Sequence, residues 1–206
     1  MNSLVKIILN IIPRSILTRL SFLLKPLIKI YLRGNKYVDP IDGSSFRKFL
    51  PYGYNNVREN ALSPSTFSLE RHRLLWLYLK NETDFFKKDL KVLHFAPEAA
   101  FLEKFKKLKN ISYDTIDLNS PLANIKADIC DLPLDDEYYD FILCNHVLEH
   151  VIDDKKAMQE LYRVLKKDGI GIFQVPINIS NKKTYEDFTI TAVSYTHLRA
   201  HETSAY

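Results

Sequence analysis

The chain has 206 residues, a net charge of +4 and 46% hydrophobic residues, enough for one packed domain with an appendage. Only five residues are glycine, where average usage predicts roughly fourteen. None lies between Tyr54 and Asp168, which excludes a phosphate-cradling P-loop and a G-x-G-x-x-G dinucleotide fingerprint.

The first 38 residues carry seven cations and no acid, leaving a net −3 on the remainder. A general nucleic-acid binder would spread its basic charge over the body. Residues 3–33 are apolar with interspersed cations, and Arg14, Thr18, Ser21, Lys25, Lys29 and Arg33 fall on one narrow stripe, spaced by three and four. That period predicts an amphipathic helix, split or kinked at Pro13 and Pro26. Charges interrupt it too often for a membrane span. Two readings stand: a helix lying on a membrane surface, or one packed on the domain or a partner.

Residues 34–68 are rich in turn residues and predict a compact loop region with a short strand at Phe46–Leu50. Ser68 is placed to cap a following helix, in which Leu74, Leu75, Tyr78 and Leu79 keep helical spacing. From Leu90 strands and helices alternate. Strands are expected at Lys91–Phe95, Ser112–Leu118, Ile125–Ala127, Tyr139–Cys144 and Gly169–Val175, and helices at Ala99–Lys107 and Lys155–Leu165. Such alternation predicts an α/β fold with a parallel sheet. Cys130 and Cys144 offer neither a metal-ligand spacing nor a disulfide framework and read as small buried groups in a cytoplasmic protein.

Open α/β sheets bind ligands beyond the carboxyl ends of their strands. Four polar clusters fall there: His94 to Ala100, Asp117, Asp128 and Asn145 to His150. Asp117, ending the second strand, suits a ribose diol; otherwise it is a turn aspartate. Asp128 suits an exocyclic amino group, with the same alternative.

Residues 90–176 resemble the class I S-adenosylmethionine-dependent methyltransferases, in the broad type 11-like branch. The resemblance rests on Ala127-Asp128-Ile129-Cys130-Asp131-Leu132-Pro133-Leu134, on Tyr139 to Val151 (YDFILCNHVLEHV), and on Glu160 to Gly171. It implies a Rossmann-like sheet, of which about five of seven strands are present. It implies S-adenosylmethionine as cofactor, held by His94, Ala96, Glu98, Asp117, Leu118, Asp128, Ile129 and Asn145. His146 and His150 are the candidate catalytic bases. The first loop departs from the family's D/E-x-G-x-G-x-G, with His94, Ala96, Glu98 and Ala100 at the aligned positions, and a glycine-only backbone angle is expected to be lost.

Upstream, Asp39-Pro40-Ile41-Asp42-Gly43 and Ser63 to Arg73 resemble two zinc knuckles with Asp39, Asp42, Ser63 and Thr66 in place of all four cysteines. No metal is expected, because zinc sites of this kind need thiolates or imidazoles. The pair is expected to persist as a metal-free cap beside the site.

The chain thus divides into a basic helical segment (1–36), a loop-rich cap (37–80), a truncated methyltransferase domain (81–192) and a tail (193–206). The tail resembles the translated read-through of a sequencing-library adapter. The expected function is methyl transfer to a small-molecule, glycan or lipid-linked acceptor, in the cytoplasm or peripherally at the inner membrane face. The alternative is a non-catalytic binding module on the same fold. No nucleic-acid partner is expected.

Overall fold

A computed structural model describes residues 14–53 and 57–176, with side chains from residue 23 onward. The tail at 193–206, the helix start at 3–13 and Pro13 lie outside the described residues. Two compact units result, one from residues 14–52 and 58–76, the other from 53, 57 and 77–176.

The first unit opens with helix α1 (Arg14–Leu32), followed by β1 (Arg33–Val38), β2 (Ser45–Phe46), β3 (Leu50–Tyr52) and β4 (Arg58–Leu62). Pro26 lies inside α1 without ending it. Proline removes one donor, and Pro26 is exposed, where water can serve the carbonyl left over one turn earlier. The strands pair as antiparallel ribbons, β1 with β2 and β3 with β4. The expected strand at Phe46–Leu50 is two separate pieces. Leu32, Phe46 and Phe49 form the small core. Gly34 is required by close approach, since a Cβ there would stand 2.6 Å from the Arg47 amide nitrogen.

Helix α2 (Glu70–Asn81) begins one residue after Leu69. Ser68 does not cap it: its hydroxyl goes to Asp39, and the Leu69 amide donates to His72 Nδ1 at 3.0 Å. Leu75 and Leu79 are buried, whereas Leu74 and Tyr78 are exposed.

The second unit carries β5 (Leu90–Phe95), α3 (Ala99–Phe105), β6 (Ile111–Asp117), β7 (Ile125–Lys126), β8 (Tyr139–Asn145), a 3-10 turn (Leu148–His150), α4 (Asp154–Val164) and β9 (Leu165–Gln174). The five strands form one sheet in the order β7-β6-β5-β8-β9, every pair parallel. This is the expected α/β Rossmann-like sheet.

Alternation along β5 and β8 supplies both faces of the core. Leu93, Phe95, Ile142 and Cys144 pack with Ala157, Leu161 and Val164 of α4. On the other face, Phe141 meets Phe85 at 5.2 Å between ring centroids, Phe85 meets Phe105 at 5.1 Å, and Phe101 stacks on Phe105. Both central strands carry buried hydrophobics on each face, as a covered parallel sheet requires.

Candidate active site at the carboxyl edge of the sheet

Strand order places β5 and β8 side by side, so the segments leaving them share one edge. His94, near the end of β5, is fully buried. Its Nδ1 lies 2.7 Å from the Tyr113 hydroxyl and its Nε2 lies 2.7 Å from Glu98 Oε2. A neutral imidazole satisfies both, with the tyrosine donating to Nδ1 and Nε2–H donating to the carboxylate. Asn145, ending β8 and 3% exposed, donates through Nδ2 to the same Glu98 oxygen at 3.4 Å. Glu98 is thereby fixed between two strands. Burial, then the Glu98 charge, pushes the Tyr113 phenol well above its ordinary range.

Ala96 adopts the left-handed φ of 45°. The turn keeps a glycine-type conformation without a glycine, contrary to the expectation that this angle would be lost. The Ala96 amide donates to the Ile116 carbonyl at 2.9 Å, tying the turn to β6. Glu98 is the N-cap of α3 but makes no side-chain capping bond, because its carboxylate reaches back to His94.

His146 is also left-handed, at φ 55°. Its amide donates to the Gln174 carbonyl at 2.7 Å, and its Nδ1 lies 3.2 Å from Glu149 Oε1. The imidazole is about one-third exposed and the carboxylate nine-tenths buried, with side-chain exposures of 32% and 9%. Non-glycine residues held in this region cluster at functional sites. His150 is exposed and ends the 3-10 turn. Cys144 beneath this edge is pushed up to about 12 by burial, then by the charges of Glu149 and Glu98.

Asp117 and Asp128 each commit one oxygen to a turn. Asp117 Oδ1 accepts from the amides of Asn119 and Ser120 at 2.8 and 2.7 Å. Asp128 Oδ1 accepts from the Cys130 amide at 2.9 Å. The Asp128 carboxylate also meets the Cys130 thiol. Leu118 is 60% exposed, whereas the Ile129 side chain belongs to the hydrophobic core.

Sequence reading missed the Arg163 hub that holds the Asp128 segment against α4. Its guanidinium forks onto Glu160 at 2.8 and 2.7 Å and reaches the carbonyls of Leu132 and Leu134 at 2.9 and 2.7 Å and Asp136 at 2.6 Å. The only available signal was the i,i+3 pairing of Glu160 with Arg163 on one helix face. A cleft of about 500 Å³ lies at the opposite edge, by Leu90, Asn110 and Lys166. There Lys166 is paired with Asp140 at 2.6 Å and Lys91 lies over the Tyr138 ring, and parallel sheets bind ligands at the other edge.

In the first unit the four knuckle positions do converge. Asp39, fully buried, accepts from Thr66 Oγ1 at 2.6 Å, Ser68 Oγ at 3.3 Å and the Ile41 amide at 3.0 Å. Ser65 Oγ lies 3.2 Å from Asp42 Oδ1 and 3.1 Å from Ser63 Oγ. Hydroxyls and amides thus satisfy the carboxylates. Among the described residues no group of three or more His, Cys, Asp or Glu could hold a metal ion.

The methyltransferase domain family matches residues 82–173. Among solved structures, similarity extends to a protein of Bacillus halodurans described as a methyltransferase (20% identity, TM-score 0.38, 42% of this chain and 45% of that one). It extends also to one of Methanococcus maripaludis described as an S-adenosyl-L-methionine-dependent methyltransferase (18%, 0.40, 48% and 52%). An S-adenosylmethionine-dependent methyltransferase of Aquifex aeolicus is similar at 16% and 0.44, over 65% and 78%. The chain spans about half the length of the first two. No curated protein matches it.

Proposed function

We propose that this chain, whose residues 82–173 match the methyltransferase domain family, transfers a methyl group from S-adenosylmethionine to a small-molecule, glycan or lipid-linked acceptor at the carboxyl edge of β5 and β8. The observation that carries the reading is the meeting there of Glu98, Asn145 and the His146–Glu149 pair. The cofactor of this family, S-adenosylmethionine, supplies a methyl carbon made electrophilic by a positively charged sulfur.

The donor set fits that group. The edge presents the carboxylates of Glu98 and Glu149 to a cationic ligand. The Asp117 carboxylate suits a ribose hydroxyl and the Asp128 carboxylate the adenine amino group. His94 positions Glu98. His146 serves as general base, with Glu149 fixing its tautomer and stabilising the imidazolium. His150, being exposed, is the weaker candidate. The left-handed Ala96 speaks against the binding-module alternative, since the cofactor-loop turn is kept at a conformational cost.

Calorimetry with S-adenosylhomocysteine tests the reading. Heat of binding is expected, and Asp117→Ala should weaken it about tenfold, the loss of one charge-assisted hydrogen bond. No heat with millimolar ligand rejects the reading.

We further propose a peripheral position at the inner membrane face. No described helix is long and apolar enough to cross a membrane. On α1, however, Leu23, Leu27, Ile30 and Tyr31 are 75%, 64%, 74% and 71% exposed. Lys25 instead turns inward, its ammonium 4.8 Å from the Phe67 ring centroid. An outward apolar face on a segment with seven cations and no acid suits an anionic bilayer. Co-sedimentation with vesicles containing phosphatidylglycerol should fall in Leu27→Asp/Ile30→Asp; unchanged co-sedimentation excludes the position.

A further inference from the structure

The carboxyl edge of β8 and β9 presents hydrogen-bond acceptors without donors to match them. Asn145 and Gln174 are register partners at the ends of these strands. Asn145 Oδ1, Gln174 Oε1 and Glu149 Oε2 are each buried with no hydrogen-bond partner. Asn145 is 3% exposed and the Glu149 side chain 9%. The amide orientation of Asn145 is fixed, since its nitrogen donates to Glu98 and only its oxygen remains. Asn145 and Gln174 adjoin across the strands, and Glu149 pairs with His146, whose amide donates to Gln174, so the three acceptors belong to one sheet edge. Unmatched there, they cost free energy unless a ligand supplies donors. A neutral hydroxyl has one proton to donate, and a carboxylate would face two like charges. A protonated amine carries up to three N–H donors and a compensating positive charge.

We propose that Glu149, Asn145 and Gln174 recognise an alkylammonium group, so that the methyl acceptor is an amine nitrogen. This rests on the methyltransferase reading and names its substrate class. An ammonium must lose one proton before it can attack. That proton passes to His146 Nε2, since Nδ1 is held by Glu149. The nitrogen lone pair then forms the N–C bond while the C–S bond breaks, its electron pair leaving on sulfur. The product is a methylated ammonium and a neutral thioether, and charge balances with the proton on His146.

The full chain, saturated with S-adenosylhomocysteine, is titrated with propylammonium, propanol and propionate, following binding by ligand-observed NMR. Propylammonium is expected to bind, and the alcohol and carboxylate are not. Glu149→Gln is expected to weaken propylammonium about tenfold, and Gln174→Met to weaken it in the same direction, each with an unchanged circular dichroism spectrum. The proposal is overturned if propylammonium fails to bind at tens of millimolar, if propanol binds equally, or if both variants keep full affinity. It is also overturned if S-adenosylhomocysteine displaces propylammonium, because the acceptors then serve the cofactor's own amino group. A chain that binds propylammonium but not S-adenosylhomocysteine fails the methyltransferase reading while keeping the ammonium site.

Discussion

Ala96 and His94 show how far single residues could be read. The sequence places both in the loop after β5, and both lie there. What it hides is that His94 is sealed in the core, with each ring nitrogen engaged, and acts through Glu98. Its bond to Tyr113 depends on the β5–β6 register, which sets His94 beside Thr115 and Tyr113 beside Val92. Ala96 pays for its left-handed angle of 45°. Ala96→Gly should therefore stabilise the fold by about 1 kcal/mol, seen as a higher urea midpoint at unchanged slope; a lower midpoint refutes the strain. Cys144, pushed up to about 12 mainly by burial, should resist alkylation at pH 8 until the protein unfolds, and labelling at the rate of a free thiol contradicts that.

At the scale of elements, hydrophobic period located the strands and helices of residues 90–174 to within a few residues. Their side-chain networks were less visible. Arg163 ties α4 to the segment after β7 through partners about thirty positions away. Lysine cannot reproduce the fork. Arg163→Lys is expected to cost about 1–3 kcal/mol by leaving the Leu132 and Leu134 carbonyls short of a donor, measured by thermal unfolding; an unchanged midpoint denies the hub. The Arg163 guanidinium, helped by the Leu132 amide, holds the Glu160 carboxyl down at about 2, against an ordinary 4.5. Its folded value is the lower one, so its stabilisation is present above pH 4.5 and is lost as pH falls toward 2. Glu160→Gln should flatten the acid limb of stability in that window, and an identical limb would rule the linkage out.

On α1 the polar stripe was legible but its direction was not. Spacing alone says that Lys25 and Lys29 share a face. Only the folded first unit shows Lys25 turned toward Phe67, and Leu23 and Leu27 toward solvent. Similarly, four substituted cysteine positions were visible in the sequence, while the buried Asp39 that gathers the surrounding hydroxyls was not.

For the whole molecule, a ligand that binds only the folded chain stabilises it. S-Adenosylhomocysteine at a hundred times its dissociation constant should add about 2.7 kcal/mol, visible as a raised melting temperature that tracks ligand concentration. A melting temperature indifferent to ligand would exclude folded-state binding.

Local order follows from neighbouring residues, so the chain alone announced alternating strands and helices, a parallel sheet and acids after successive strands. Scarce glycine excluded phosphate-cradling loops but not a cofactor without a phosphate to cradle. The strand order β7-β6-β5-β8-β9 came only with tertiary structure. That order sets Glu98 beside Asn145, 47 residues away, and Asn145 beside Gln174. Nothing local encodes such neighbours: they depend on which strands pair and in what register, a choice made by burying both faces of the sheet at once.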